Sequence, residues 1–219
     1  MSTVKTNAIE TQAGGTSVLT LGTSTQTLKI LGGTPGAGKV LTSDADGDAT
    51  WTTAGAGPGV IQLKTGVKTD TYTSSITGPT DWKSPGLSVV ITPTLSTSKI
   101  FVMGYCTVAA ASTYEQGQRW VRTISGGSAV YLNIADVAGS KTRASSTERI
   151  NAAKDAKAVP FMFLDAPATT TATTYHLEIV TESSGSDVYL NRTSSETDIA
   201  GDFRGASSIT VMEIAVGAL

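Results

Sequence analysis

Residues 28–51 read LKILGGTPGAGKVLTSDADGDATW, and the way this stretch is read decides the fold. Two functional motifs are half-present in it. Gly33-Thr34-Pro35-Gly36-Ala37-Gly38-Lys39 has the G-x-x-x-x-G-K spacing of a phosphate-binding loop. Such a loop needs a Ser or Thr hydroxyl next, for Mg²⁺, and Val40 stands there. It must also open a helix whose N-terminus holds the phosphates. Here it opens into Val40-Leu41-Thr42-Ser43 and then an aspartate-glycine turn signal, with no helical apolar period. Asp44, Asp46 and Asp48 alternate as calcium-loop ligands do. However, Gly47 comes too early and Gly55 occupies the position of the closing Glu. What remains is a hairpin. Asp-Gly is a tight-turn dipeptide, and it would join a strand at residues 39–42 to one at residues 48–51. Trp51 then becomes an apolar plate over the Leu41 side.

Composition agrees with an all-β chain. Only 39% of the 219 residues are hydrophobic and 16% charged; Thr, Ser and Gly fill the difference. Thr is β-branched and Ser competes for backbone hydrogen bonds, so the mixture favours strands and turns over helix. Net charge is −2, which gives no basic footprint for nucleic acid. No stretch is long and apolar enough for a membrane span, and the first residues lack the cationic and apolar regions of a signal peptide. The single cysteine, Cys106, excludes an intrachain disulfide and reads as a small buried residue in IFVMGYC. The single histidine, His176, cannot build a histidine metal cluster, and no cofactor is expected.

Residues 1–57 scatter Val4, Ile9, Leu19, Leu21, Leu28, Ile30, Val40, Leu41 and Trp51 among Thr, Ser and Gly. That is too little apolar surface to offset the ordering of the chain. The apolar residues still come in strand-sized groups, which suggests that they are shared with neighbouring chains. Leu19, Leu21, Leu28, Ile30, Val40, Leu41 and Trp51 are the candidate subunit-sharing residues of an extended shaft. Ala54-Gly55-Ala56-Gly57-Pro58-Gly59 marks the boundary. Residues 58–219 read as one all-β domain, with strands expected near 60–65, 70–74, 87–92, 99–109, 117–124, 129–134, 160–164, 174–181, 187–191 and 208–215. Residues 141–157 are expected to form a long exposed loop. Ser145 and Glu148 have capping-box spacing there, consistent with one helical turn. About ten short strands with regular turns suggest a sandwich or jelly roll.

Two sets of residues carry a family resemblance. Gly33 through Asp44, with Gly47 and Trp51, resembles a linker unit recurrent in bacteriophage tail fibres and other virion fibre proteins. Pro85-Gly86-Leu87-Ser88-Val89-Val90-Ile91-Thr92-Pro93, Phe163-Leu164-Asp165-Ala166-Pro167, Val188-Tyr189-Leu190-Asn191-Arg192 and Ser208-Ile209-Thr210-Val211-Met212-Glu213-Ile214 occur in order along the second domain. They resemble the C-terminal domain of virion structural proteins of marine and cyanobacterial phages. The resemblance implies a non-enzymatic virion protein. Its N-terminal segment would dock to other tail or head proteins, and its jelly-roll-like head would be homotrimeric. It carries no catalytic residues. A head-decoration, head-fibre or baseplate protein acting only in assembly is the alternative within this class.

The host-facing role would place the protein on an exposed virion appendage, with a cell-surface glycan or protein as its partner. Arg119, Trp120 and Arg122, with Tyr114, form the best small cluster for surface recognition, since aromatic and Arg residues dominate such contacts. The competing reading packs Trp120 inside the sandwich and leaves Arg119 and Arg122 in exposed ion pairs. A small glycan hydrolase is the alternative from another class. It would need two carboxylates at a set separation, one of raised pKa, with Asp165, Glu178, Glu182 and Asp187 available. Glu178 and Glu182 are expected to be solvated.

Overall fold

The computed structural model describes residues 36–43, 49–53, 59–111, 113–200 and 202–215. The chain divides into two units, Met1–Gly55 and Ala56–Leu219. In the first unit, β1 (Lys39–Ser43) and β2 (Ala49–Thr53) form the expected antiparallel hairpin, with Leu41 opposite Trp51. The Thr42 and Thr52 hydroxyls meet at 3.1 Å on the hairpin. The expected turn at residues 44–48 and the shaft candidates Leu19, Leu21, Leu28 and Ile30 lie outside the described residues.

The second unit is a sandwich of two antiparallel sheets, and every regular element described in it is a strand. Its six-stranded sheet is built around β6 (Lys99–Ala110). Along one edge β6 pairs β10 (Lys157–Asp165). Its other edge is divided: β13 (Ser207–Ile214) takes residues 99–105, and β12 (Asp187–Leu190) takes residues 108–110. β3 (Val60–Lys68) lies beyond β13, and β4 (Tyr72–Ser75) lies beyond β12. The second sheet repeats the plan around β7 (Glu115–Ile124). β11 (Thr173–Thr181) covers one edge of β7, and β5 (Ser88–Ile91) continues from β11. The other edge of β7 is shared by β9 (Ser146–Arg149) and β8 (Ala129–Leu132).

A split edge leaves backbone groups unpaired at the seam, and buried unpaired groups are costly. Asn191 fills the seam beside β6. Its backbone takes the left-handed conformation, φ 62°, which Asn tolerates better than most residues. Its N–H donates to the Thr107 carbonyl at 2.8 Å. Its Nδ2 donates to the Lys68 and Asp70 carbonyls, both at 2.9 Å, and its Oδ1 accepts from Ser207 Oγ at 2.6 Å. One fully buried side chain therefore ties the ends of β3, β4, β12 and β13 together beside β6. Ser145 does the same beside β7. Its Oγ donates to the Leu132 carbonyl at 2.9 Å and accepts from the Trp120 N–H at 3.3 Å.

Ser145 also corrects an expectation. Residues 141–157 are not one uninterrupted loop, and Ser145 does not cap a helical turn. Residues 146–149 are strand β9, paired to β7. The capping-box spacing fails because the unpaired edge of β7 offers this segment a full ladder, worth more than one isolated helical turn. Along β11 the polar residues Thr174, His176, Glu178 and Thr181 are expected to face away from Tyr175, Leu177 and Ile179. Tyr175, Leu177 and Ile179 are buried and Thr174, His176 and Glu178 half-buried, but Thr181 is fully buried, its hydroxyl donating to the Glu115 carbonyl at 2.9 Å.

The core lies between the sheets. Ile100, Val102, Cys106, Val108, Ile209 and Val211 meet Val89, Ile91, Trp120, Leu177 and Ile179. Gly104 interrupts the inward row of β6 because Phe161 occupies its side-chain space. A Cβ at Gly104 would lie 2.8 Å from that ring and 2.1 Å from the Ser208 carbonyl oxygen. Phe161 uses the space to stack on Trp120 of the opposite sheet, at 3.7 Å between ring centres. Glu213 is fully buried on β13 and pins the loop after β5. Its carboxylate accepts from Gln62 Nε2 at 2.6 Å, from the Thr94 N–H at 2.8 Å and hydroxyl at 2.9 Å, and from the Leu95 N–H at 3.2 Å.

Asn191→Asp keeps a residue able to adopt the left-handed backbone but removes both amide donors. It should lower unfolding stability by about 3 kcal/mol in urea denaturation, since each stranded buried acceptor costs about 1–3 kcal/mol. A loss under 1 kcal/mol would show that the seam is held by other means. A second expectation concerns pH. Burial alone would raise the Glu213 carboxyl, but the hydrogen bonds from Gln62 and Thr94 outweigh it and hold the group below its ordinary value of 4.5. A folded-state pKa below the unfolded one gives stability that is present above the ordinary glutamate range and lost as pH falls through the lower, folded value. Stability should therefore decline on acidification from about pH 5. Glu213→Gln should flatten that decline, as read by the urea midpoint at a series of pH values.

Candidate functional site

The outward face of the β7 sheet carries a groove whose floor depends on Gly117. Trp82 lies over this glycine: a Cβ there would meet the indole and Val180 at 3.2 Å each. Trp82 is held in place by its neighbour Lys83, which exchanges two backbone hydrogen bonds with Ile179, at 2.9 and 2.8 Å. Two residues along β7, Arg119 projects from the same face. Its guanidinium lies 4.3 Å from the Trp82 ring centre and 4.0 Å from that of Tyr131 on β8. Stacking of this kind favours the flat, weakly hydrated guanidinium over an ammonium. Directly across the strand pair, Glu178 accepts from Arg119 Nε at 2.6 Å. His176 Nε2 lies 3.6 Å from the same carboxylate. His176 and Arg119 together hold the Glu178 carboxyl below its usual range against the opposing effect of burial.

Two hollows open beside Trp82. One of ≈ 380 Å³ is bounded by Trp82, Arg119, Tyr131, Lys141 and Arg143. The other, ≈ 300 Å³, is bounded by Trp82, Gly117, Ala144, Val180 and the carboxylates Glu115 and Glu182. Lys141 and Thr142 border both. They belong to the chain between β8 and β9, which is folded back by the Ala135–Ala144 backbone hydrogen bond of 3.1 Å.

Of the four surface-recognition candidates, the structure brings only Arg119 to this groove. Trp120 is 1% exposed and belongs to the core, as the competing reading had it. Arg122 points to the inner side, where Nη1 bonds both oxygens of Asp165 at 2.7 and 2.9 Å and ties the two sheets. The Tyr175 hydroxyl donates to the same carboxylate at 2.7 Å, and burial with that hydrogen bond pushes the tyrosine well above its ordinary pKa. The ion pairs of Arg119 and Arg122 are thus present but shielded, with both arginine side chains 14% exposed. Tyr114 is half-buried in the β6–β7 connection, where its carbonyl accepts from the Ile150 N–H at 3.1 Å.

The groove residues that the sequence did not suggest are Trp82, Tyr131 and the His176–Glu178 couple. The available signal was the two-residue period of a strand: it sends Arg119 and Trp120 to opposite faces and puts Arg119 with Gly117.

The hydrolase candidates are engaged. Asp165 is paired as above, and Glu178 is a shielded partner of Arg119 rather than a solvated residue. Asp187 accepts from Ser75 and Tyr189, and Glu182 faces Arg149 at 3.7 Å. Cys106 faces the core, where burial raises its thiol to about 12, while His176 lies on the outer face of the other sheet. Among the described residues, no three His, Cys, Asp or Glu side chains are grouped as metal ligands, and no helix is long and apolar enough to cross a membrane.

No family model matches the chain, and no curated protein matches it. Among solved structures, the chain is similar to that of infectious bursal disease virus Gx strain, at 14% identity and TM-score 0.42, covering 81% of this chain and 42% of that one. It is also similar to the T13 viral particle of the same virus, at 12% identity and TM-score 0.40, covering 80% of this chain and 40% of that one. A third match is the D431N mutant VP2 protein of that virus in T=1 particles, at 13% identity and TM-score 0.37, covering 81% and 41%. The chain spans about two-fifths of the length of these structures, and likeness at this level carries no functional argument.

Asp165→Asn should leave the Arg122 charge buried with a weakened partner. A stability loss of about 3 kcal/mol is expected, as for other broken buried pairs, with the far-ultraviolet circular dichroism spectrum unchanged. A neutral effect in thermal or urea unfolding would mean that water reaches Arg122.

Proposed function

We propose that this protein is a homotrimeric virion structural protein of a bacteriophage, a tail fibre or similar appendage. Residues 1–57 form its attachment and shaft segment, and residues 58–219 its β head. The segment-by-segment sequence resemblance supports the class, and one feature of the head supports the assembly.

An antiparallel sheet with one face in water ordinarily turns polar side chains outward. The outward face of the β6 sheet does so only in part, and with no charge across its three central rows. In register across four strands, Leu63, Met212, Phe101 and Leu164 form one row. The next row is Thr65, Thr210, Met103 and Met162, and the next is Val67, Ser208, Tyr105 and Pro160. None of these twelve residues is charged. Leu63 is 53% exposed, Val67 64% and Met162 68%. From strand spacing and rise, the rows cover about 350 Å² of flat face, the size of the largest patch on an ordinary monomer, which is often a functional one. In the hairpin, Val40 and Leu41 are likewise exposed, at 44% and 40%. Apolar surface left open on both units fits a chain completed by copies of itself, with the N-terminal segment docking to other virion proteins.

The alternative within the class, a decoration or baseplate protein acting only in assembly, buries the same face but has no use for the groove on the opposite sheet. The groove favours the reading in which the head also meets the host surface.

Sedimentation velocity of the full-length protein should give three times the chain mass at micromolar concentration. Met162→Glu combined with Leu164→Lys should shift the species toward monomer while the β spectrum persists. A compact monomer of the unsubstituted protein would sink the assembly reading.

A further inference from the structure

We propose that the hollow bordered by Trp82, Tyr131, Lys141 and Arg143 is a subsite for a carboxylate-bearing sugar, a uronate or sialate unit of a surface polysaccharide. The inference rests on the reading of the head as host-facing and adds to it a ligand class and a place.

The electrostatics are one-sided. Arg119, Lys141 and Arg143 border the ≈ 380 Å³ hollow, and no carboxylate does. Arg119 is already neutralised by Glu178 and fixed between two rings. Its part is to hold Trp82 and Tyr131 apart at a set spacing. Lys141 and Arg143 are different: neither has a carboxylate within ion-pair distance among the described residues, in a protein of net charge −2. The Arg143 Nε–H is spent on the Ala135 carbonyl at 2.5 Å, which anchors the side chain and leaves its terminal nitrogens for a ligand. A guanidinium held in this way suits a planar carboxylate.

The other walls suit a sugar ring. Tyr131 is 48% exposed, so aromatic surface remains open after Arg119 has covered part of it. Thr80 and Thr142 supply hydroxyls that can donate or accept. Aromatic surface beside a few placed polar groups is the usual make-up of a small-ligand site. The size fits one ring, and the adjoining ≈ 300 Å³ hollow, reached past Lys141 and Thr142, takes the next unit of a chain. That second hollow carries Glu115 and Glu182, so it would receive a neutral residue; the ligand is therefore an acidic sugar linked to a neutral one. Nucleic acid is disfavoured, because two free cations cannot supply the row of phosphate contacts that drives such binding.

The test is calorimetric titration of the full-length protein, in its native oligomeric state, with two acidic probes and one control. The probes are a disaccharide of uronate linked to neutral hexose and a sialyl-hexose disaccharide; the control is the carboxyl-reduced uronate disaccharide. At least one acidic probe should bind with a Kd between micromolar and millimolar, and the control about tenfold or more weaker. Tyr131→Ala, and separately Lys141→Ala with Arg143→Ala, should each weaken the acidic probe by about tenfold with no change in melting temperature. These side chains are at the surface, so the variants should fold. Absence of binding by both acidic probes, equal binding of the reduced control, or unchanged binding by both variants would overturn the proposal. So would a tetraglutamate peptide that matches the better sugar, since it would make the hollow a general anion or peptide site. A trimer that binds neither probe removes this inference alone, and a monomer that binds one removes the assembly reading alone.

Discussion

One asparagine carboxamide carries a constraint on which the larger sheet depends. β6 is longer than any neighbour on its β13/β12 edge, so that edge must be shared, and a shared edge has a seam. Asn191 closes the seam from the end of β12, reaching the last residue of β3, the approach to β4 and the first residue of β13. A wholly apolar residue there would leave carbonyls buried without donors. A residue that avoids the left-handed backbone would turn the chain the wrong way. Both demands meet in Asn, which supplies two donors, an acceptor and tolerance of positive φ.

The second sheet solves the same problem with Ser145, and the shared plan explains the form of the sandwich. Two long strands, β6 and β7, each have one whole edge and one divided edge. The sheets are then locked by an apolar core containing the Trp120–Phe161 stack and by polar ties: Arg122 with Asp165 and Tyr175, and Glu213 with the loop after β5. Buried charges contribute little net stability when compared with apolar replacements, so these ties matter more for register than for strength. They fix which strand faces which across the core.

With the inner faces so committed, the outer faces are free to differ, and they do. The β6 sheet presents three uncharged rows of mainly Leu, Met, Phe, Val and Tyr across β3, β13, β6 and β10. The β7 sheet presents stacked aromatic and cationic side chains around a glycine-floored groove. The proposed roles, assembly through one face and ligand binding on the other, would need this asymmetry. Strand periodicity supplies it by sending alternate residues of one strand to different tasks: Arg119 to the groove and Trp120 to the core, Met103 to the outer rows and Val102 to the core.

Much of this was legible in the chain as a string. Asp46-Gly47 between short β-branched runs predicted the hairpin of Leu41 and Trp51, because turn chemistry is local. The alternation of Tyr175, Leu177 and Ile179 with Thr174, His176 and Glu178 predicted the two faces of β11, because side chains in a strand alternate. Cys106 read as a small buried residue from its apolar neighbours. Where the outcome depended on distant partners, the string was silent or misleading. Ser145 and Glu148 have the spacing of a helix cap, yet the open edge of β7 drew residues 146–149 into a strand. Glu178 looked solvated until the pairing of β11 with β7 set Arg119 opposite it. Trp82 had no visible role until Gly117, thirty-five positions on, proved to lie beneath it. The sequence by itself determined the all-β class and the two faces of strands such as β11 and β13, since these rest on dihedral preference and a two-residue period. Tertiary structure alone decided which strands share an edge, and so which charges meet, because cross-strand pairing joins residues whose separation in sequence encodes nothing about their separation in space.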